Sequence, residues 1–190
     1  FLLLIFIGSG LYFILVNPSS KKSTEETQVS SLVETPEFNA DSSFAKVKQQ
    51  VDFGPRVPGS AAHKACKEWY IQQLKAYGFA VQVQEFKETS YEGKALIGYN
   101  IIAQFQPKKQ KRILLAAHWD SRPKADKDSV RTNEAIDAAS DGASGAGVML
   151  EIARVLSNAK NKPNVGVDLI FFDLEDLGST DDVTGNSWAL

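Results

Sequence analysis

Residues Arg112–Asp120 read RILLAAHWD, and Val165–Asp176 read VGVDLIFFDLED. Each is an apolar run that ends in polar, acid-containing residues. Between them, Ser144–Leu156 places Val148, Ile152, Val155 and Leu156 on one stripe at helical spacing. Strand, amphipathic helix and strand in that order predict a right-handed crossover between two parallel strands. Such a crossover brings the ends near His118 and Asp173 to one edge of a sheet. The unbroken run Ile113–Ala117 is further expected to be covered on both faces.

Upstream of this unit, Gly98–Gln106 and Arg112–Ala117 flank the turn-like PKKQK and predict two antiparallel strands of a hairpin. Phe79, Val81 and Val83 alternate with Ala80, Gln82 and Gln84, the period of a half-buried strand. Ser60–Tyr77 carries Ala62, Cys66, Trp69, Tyr70, Leu74 and Tyr77 at spacings of three and four, with Ser60 as N-cap and Gly78 past the end. That segment predicts an amphipathic helix, and His63 on its second turn reads as a surface histidine. The fold class is α/β: a three-layer α/β/α sandwich around a mixed sheet.

The ends differ from this body. Phe1–Val16, FLLLIFIGSGLYFILV, contains no charge. As a helix at about 1.5 Å per residue it spans about 24 Å, short of a bilayer core of about 30 Å. No small-residue cleavage site clearly follows, so a signal anchor is expected over residues 1–16, with a cleaved signal peptide as the alternative. Residues 17–40, rich in Ser, Thr, Glu and Lys, read as a flexible polar tether. The folded domain is expected over residues 41–190. These readings place the protein on a membrane or outside the cytoplasm, at a periplasmic or extracellular face.

Composition narrows the function classes. The 190 residues include 21 Lys and Arg against 23 Asp and Glu, a net charge of −2, with 43% apolar residues. A disordered chain, a collagen-like repeat and a polytopic membrane protein are excluded. The basic run Lys108–Arg112 reads as a charged turn, and nucleic acid is not an expected partner. A single cysteine, Cys66, excludes an internal disulfide. DGASGAG lacks the Gly-Lys-Ser/Thr of a phosphate loop.

Three polar clusters should meet at the sheet edge: His118-Trp119-Asp120, Asp141 within SDGASG, and Asp173-Leu174-Glu175-Asp176. Each has a plainer reading alone: Asp141 as a helix N-cap, Glu175 and Asp176 as a solvated loop, His118 as a structural histidine. Together they bring several carboxylates to one place, where they repel and raise one another's pKa unless a cation neutralises them. His, Asp and Glu in combination suit zinc.

The ordered set FGPRVPGS (Phe53–Ser60), NII (Asn100–Ile102), LLAAHWDSRP (Leu114–Pro123), SDGASGAGVMLEIAR (Ser140–Arg154) and LIFFDLED (Leu169–Asp176) resembles the zinc-dependent aminopeptidase family of α/β fold. Within that family it resembles the glutaminyl-peptide cyclotransferases, or glutaminyl cyclases. The resemblance implies a mainly parallel central sheet. It also implies zinc binding by Asp141 and Asp176 and catalysis by Glu175. His118 and Asp120 match a histidine-x-aspartate motif, which carries a metal ligand in two-zinc aminopeptidases and whose histidine is displaced from the metal in single-zinc cyclases. The family's remaining zinc-binding histidine is expected beyond Leu190. A cyclase of this kind converts the N-terminal glutamine of peptides or proteins to pyroglutamate with release of ammonia. The alternatives are a zinc aminopeptidase and a non-catalytic binding ectodomain. One zinc ion is expected for a cyclase and two for an aminopeptidase.

Overall fold

The computed structural model describes residues 35–90 and 92–178. The expected anchor, most of the tether and the chain after Gly178 lie outside the described residues. No helix among the described residues is long and apolar enough to cross a membrane. The described residues from Pro36 onward belong to one compact unit.

Asn39 starts helix α1 (Ala40–Asp52) by accepting a hydrogen bond from the Ser42 amide at 2.8 Å, which satisfies one of the free donors of the first turn. Sequence reasoning missed this helix because its buried face is polar, made of Ser43, Lys46 and Gln50. Lys46 meets Glu151, which is fully buried and bonded to Lys46 Nζ (3.1 Å), Ser42 Oγ (2.7 Å) and the Asn39 amide (3.1 Å), while Gln50 Nε2 donates to the Ala143 carbonyl at 3.0 Å. Helix α2 (Ala61–Ala76) is capped by the Ser60 side chain, as expected. Helix α3 is Gly145–Asn158.

Four strands follow as β1 (Ala80–Thr89), β2 (Ala95–Phe105), β3 (Arg112–His118) and β4 (Gly166–Phe172), in the spatial order β1-β2-β4-β3. The predicted crossover is present: β3 and β4 pair in parallel through α3, with His118 opposite Phe172. The predicted hairpin between β2 and β3 is not, because β4 lies between them and pairs antiparallel with β2. The two strands run in opposite directions, as a short connection requires, but are one strand apart. The sheet is mixed, yet parallel pairing does not predominate among the described residues. The β1–β2 and β2–β4 pairs are antiparallel, and α3 is the one crossover helix joining a described parallel pair.

Cys66, Tyr70 and Leu74 of α2 and Ala146, Met149, Leu150 and Ala153 of α3 pack on Ile101, Ala103, Phe105, Val167, Leu169 and Phe171, which all face one side of the sheet. Fully buried side chains such as Leu74, Leu150 and Leu169 each contribute roughly 1.5–3 kcal/mol of apolar burial. The opposite side carries the Arg112–Asp168 ion pair (2.7 Å) with Leu114 and Phe172. Leu114 is 58% and Phe172 40% exposed. The described residues thus supply two of the three expected layers. The expectation that β3 is covered on both faces fails among them, since Ile113 is also half exposed.

Candidate active site

The parallel register ends both β3 and β4 at one edge, where the Trp119 amide donates to the Phe172 carbonyl at 3.0 Å. Beyond that edge the chain delivers His118 and Asp120 from β3, and Asp173, Glu175 and Asp176 from β4. Asp141 comes from an irregular turn, Ala139–Ser144, immediately before α3. Its side chain is not a helix cap; the N-cap position is Ser144, which makes no side-chain capping bond. Instead Asp141 Oδ1 lies 2.9 Å from His118 Nε2. Gly142 lets the turn come this close. Its φ of +103° favours glycine, and a Cβ there would stand 3.0 Å from the Asp120 carbonyl and 3.1 Å from His118 Cε1.

His118 is the centre of the cluster. Its Nδ1 lies 3.3 Å from Asp120 Oδ1 and 3.7 Å from Glu175 Oε2. Burial works against its charged form, but hydrogen bonds to Asp120 and Asp141 and the charges of Asp120 and Glu175 prevail, holding its pKa up to about 9. Asp120 is fully buried, and its Oδ2 accepts the Asp176 amide at 3.2 Å, which joins the two strand-end loops. Glu175 has 49% of its side chain exposed and Asp141 81%, so both are open to a ligand from solvent. Leu174, at φ +63°, makes the sharp turn that presents Glu175.

Asp176 tests whether a cation fits here. Its Oδ1 pairs with Arg122 Nη1 at 3.2 Å, while its Oδ2 is buried without a hydrogen-bond partner. Burial pushes its pKa up; Arg122 opposes this, and the Asp120 and Asp141 charges add to the rise. A buried carboxylate oxygen with no donor, beside two further carboxylates, has the chemistry that a divalent cation satisfies. Asp141 and Asp176 would hold it. No three His, Cys, Asp or Glu side chains among the described residues converge as a complete ligand set.

All the predicted site residues therefore reach one edge, with Asp120, Asp141 and Glu175 around His118 and Asp176 joined to them through Asp120. Two participants were missed. His63 is not on the surface: it is fully buried, stacked on Trp119 (4.4 Å between rings, 12° between planes), with Nε2 2.9 Å from both carboxylate oxygens of Asp173. Its place three residues before Cys66, on the stripe continued by Tyr70 and Leu74, carried that signal. Arg122, within the HWDSRP segment, binds Asp126, Asp176 and the Gly178 carbonyl (2.7 Å) and so braces the Asp176 turn.

The fold is similar to that of zinc exopeptidases, and residues 100–189 match the model of Peptidase family M28. The chain also resembles glutaminyl cyclases. It is 27% identical over 138 residues to the glutaminyl-peptide cyclotransferase of Drosophila melanogaster, an alignment covering 69% of this chain and 37% of that protein. A glutaminyl cyclase from Tannerella forsythia superposes with a TM-score of 0.77 at 45% identity, over 82% of this chain and 54% of its own. A Zn-dependent exopeptidase from Parabacteroides distasonis gives a TM-score of 0.77 at 48% identity, over 83% and 55%. The chain thus spans about half the length of these solved relatives and little more than a third of the curated one.

Proposed function

We propose that the complete protein is a zinc-dependent glutaminyl-peptide cyclotransferase acting on peptide or protein N-termini, with Glu175 as its proton carrier. The observation that carries this reading is Glu175 itself. It is half exposed at the sheet edge beside His118, two residues after a buried and fixed aspartate, and next to Asp176 with its unpartnered buried oxygen. Zinc, when bound by Asp141 and Asp176, would supply polarisation of the substrate's γ-amide carbonyl.

Glu175 takes a proton from the peptide's α-amino group. That nitrogen forms a bond to the side-chain carbonyl carbon, Cδ, of the same glutamine while the bond from Cδ to the amide nitrogen breaks. Glu175 returns the proton to the departing ammonia. Nucleophile and electrophile belong to one residue, so the site must orient one side chain rather than gather two reactants. A carboxylate half open to solvent, with Oε2 3.7 Å from His118 Nδ1, suits this role.

The similarity to a Zn-dependent exopeptidase keeps a second reading in view, in which Glu175 activates water and the first residue is released. In that reading His118, whose Nε2 lies 2.9 Å from Asp141 Oδ1 and whose Nδ1 lies 3.3 Å from Asp120 Oδ1, would serve as a ligand to a second zinc. Mass spectrometry of a glutamine-starting peptide incubated with the complete zinc-loaded protein separates the readings. Cyclisation removes the mass of one ammonia, whereas hydrolysis removes a whole residue.

We also propose an exported or membrane-anchored location, supported by the uncharged run Phe1–Val16. Carbonate extraction of membranes from expressing cells tests it: the anchored protein stays in the pellet, and a soluble cytoplasmic pool would contradict the proposal.

A further inference from the structure

His63 touches both of the loops that build the site. Its ring stacks on Trp119, the residue between His118 and Asp120, and its Nε2 meets both oxygens of Asp173, two residues before Glu175. The Gly59 amide lies 3.4 Å from Nδ1 and can only donate, so Nδ1 accepts and the proton sits on Nε2, directed at Asp173. Asp173 passes this constraint on. Its carboxylate accepts the Tyr99 amide (2.7 Å) and the Leu174 amide (2.9 Å), and its own amide donates to Asn100 Oδ1 (2.9 Å). The left-handed turn at Leu174 is thereby held on both sides immediately before Glu175. His63 and Asp173 are both wholly buried at the side chain, so solvent cannot substitute for either.

We propose that His63 is a positioning residue which, through Asp173 and Trp119, fixes the Glu175 turn relative to His118 and Asp120. The plainer role, filling the core under α2, explains the stacking on Trp119 but not the donor aimed at a carboxylate that itself holds the turn. A small rotation of that turn would move Glu175 relative to the bound substrate while leaving the helices and sheet in place.

The inference rests on the catalytic role of Glu175 given above, and its test separates the two. The complete zinc-loaded protein is prepared as wild type, His63→Ala and His63→Gln, the last keeping an amide donor near the Nε2 position. Turnover of a glutamine-starting peptide and hydrogen exchange at the Leu174 amide are measured in each. Positioning predicts that His63→Ala lowers kcat by on the order of tenfold to a hundredfold with KM little changed, and that His63→Gln recovers most of it. The Leu174 amide should exchange faster in His63→Ala alone. Equal losses in both variants, in proportion to lost folded protein, or a change confined to KM, would overturn the proposal. If the wild type does not turn over the peptide, the catalytic reading fails and the exchange measurement decides: unchanged Leu174 exchange in His63→Ala rejects positioning, and selective acceleration supports it.

Discussion

His118 Nε2 and Asp141 Oδ1 stand 2.9 Å apart although 23 residues separate them in the chain. The contact joins the end of β3 to the turn before α3, and it exists because the crossover returns β4 beside β3. Every other feature of the site follows from that edge: Asp120 beneath the histidine, and Glu175 and Asp176 arriving from the parallel neighbour.

Replacing Gly142 by alanine should damage the site more than the fold. The position combines φ +103° with a Cβ 3.0 Å from the Asp120 carbonyl, a strain of about 1–3 kcal/mol. The turn can relax only by moving Asp141 away from His118. Turnover should fall by about tenfold or more, as for a misplacement near the reacting atoms, with a modest shift in melting temperature. Unchanged activity would show that the Asp141–His118 approach is not needed.

Asp176→Asn should weaken metal retention while leaving the fold intact. The amide can still face Arg122 but has lost the charge that a cation would meet, and Asp120 and Asp141 remain. Dialysis against a graded chelator, followed by elemental analysis of the complete protein, should show zinc leaving Asp176→Asn and Asp141→Asn at lower chelator concentration than wild type. Equal retention in all three would remove these carboxylates from the ligand set.

Glu151 should dominate the acid limb of stability. Hydrogen bonding to Arg154 is the largest influence; burial opposes it, and Ser42, Asn39 and Lys46 add to it, holding the Glu151 pKa down to about 2 against an ordinary 4.5. A depressed carboxylate contributes stability in full above the ordinary value, and loses it as pH falls towards the folded value. Denaturant titrations should therefore show stability declining between about pH 4.5 and 2, with a flatter decline in Glu151→Gln. Glu151→Ala, which leaves Lys46 buried without its partner, should cost about 3 kcal/mol or more at neutral pH. A loss well under 1 kcal/mol would show that solvent reaches the pair.

The elements that were legible in the sequence are those whose side chains follow an apolar period. Helices α2 and α3 and the parallel β3–β4 unit were read from Cys66, Tyr70 and Leu74, from Val148 and Ile152, and from the two apolar runs. Helix α1 was not, because its buried face reads Ser43, Lys46 and Gln50, with Lys46 satisfied by Glu151 of α3 and Gln50 by the Ala143 carbonyl. The strand order was missed for a related reason: the PKKQK connection dictates that β2 and β3 are antiparallel in direction but not that they are neighbours. At the site, Asp141, Glu175 and Asp176 stood out in their motifs. The buried partner did not, since a histidine on a helix stripe declares itself only once Asp173 is seen 2.9 Å away.

The central claim is that Glu175 carries the proton in glutamine cyclisation. The most direct measurement is mass spectrometry of a glutamine-starting peptide with the complete zinc-loaded protein and its Glu175→Gln variant side by side, with zinc content and melting temperature matched. The account predicts loss of one ammonia with the wild type and a rate at least about a hundredfold lower in the variant. Equal cyclisation by both, or release of the whole first residue by the wild type, would contradict it.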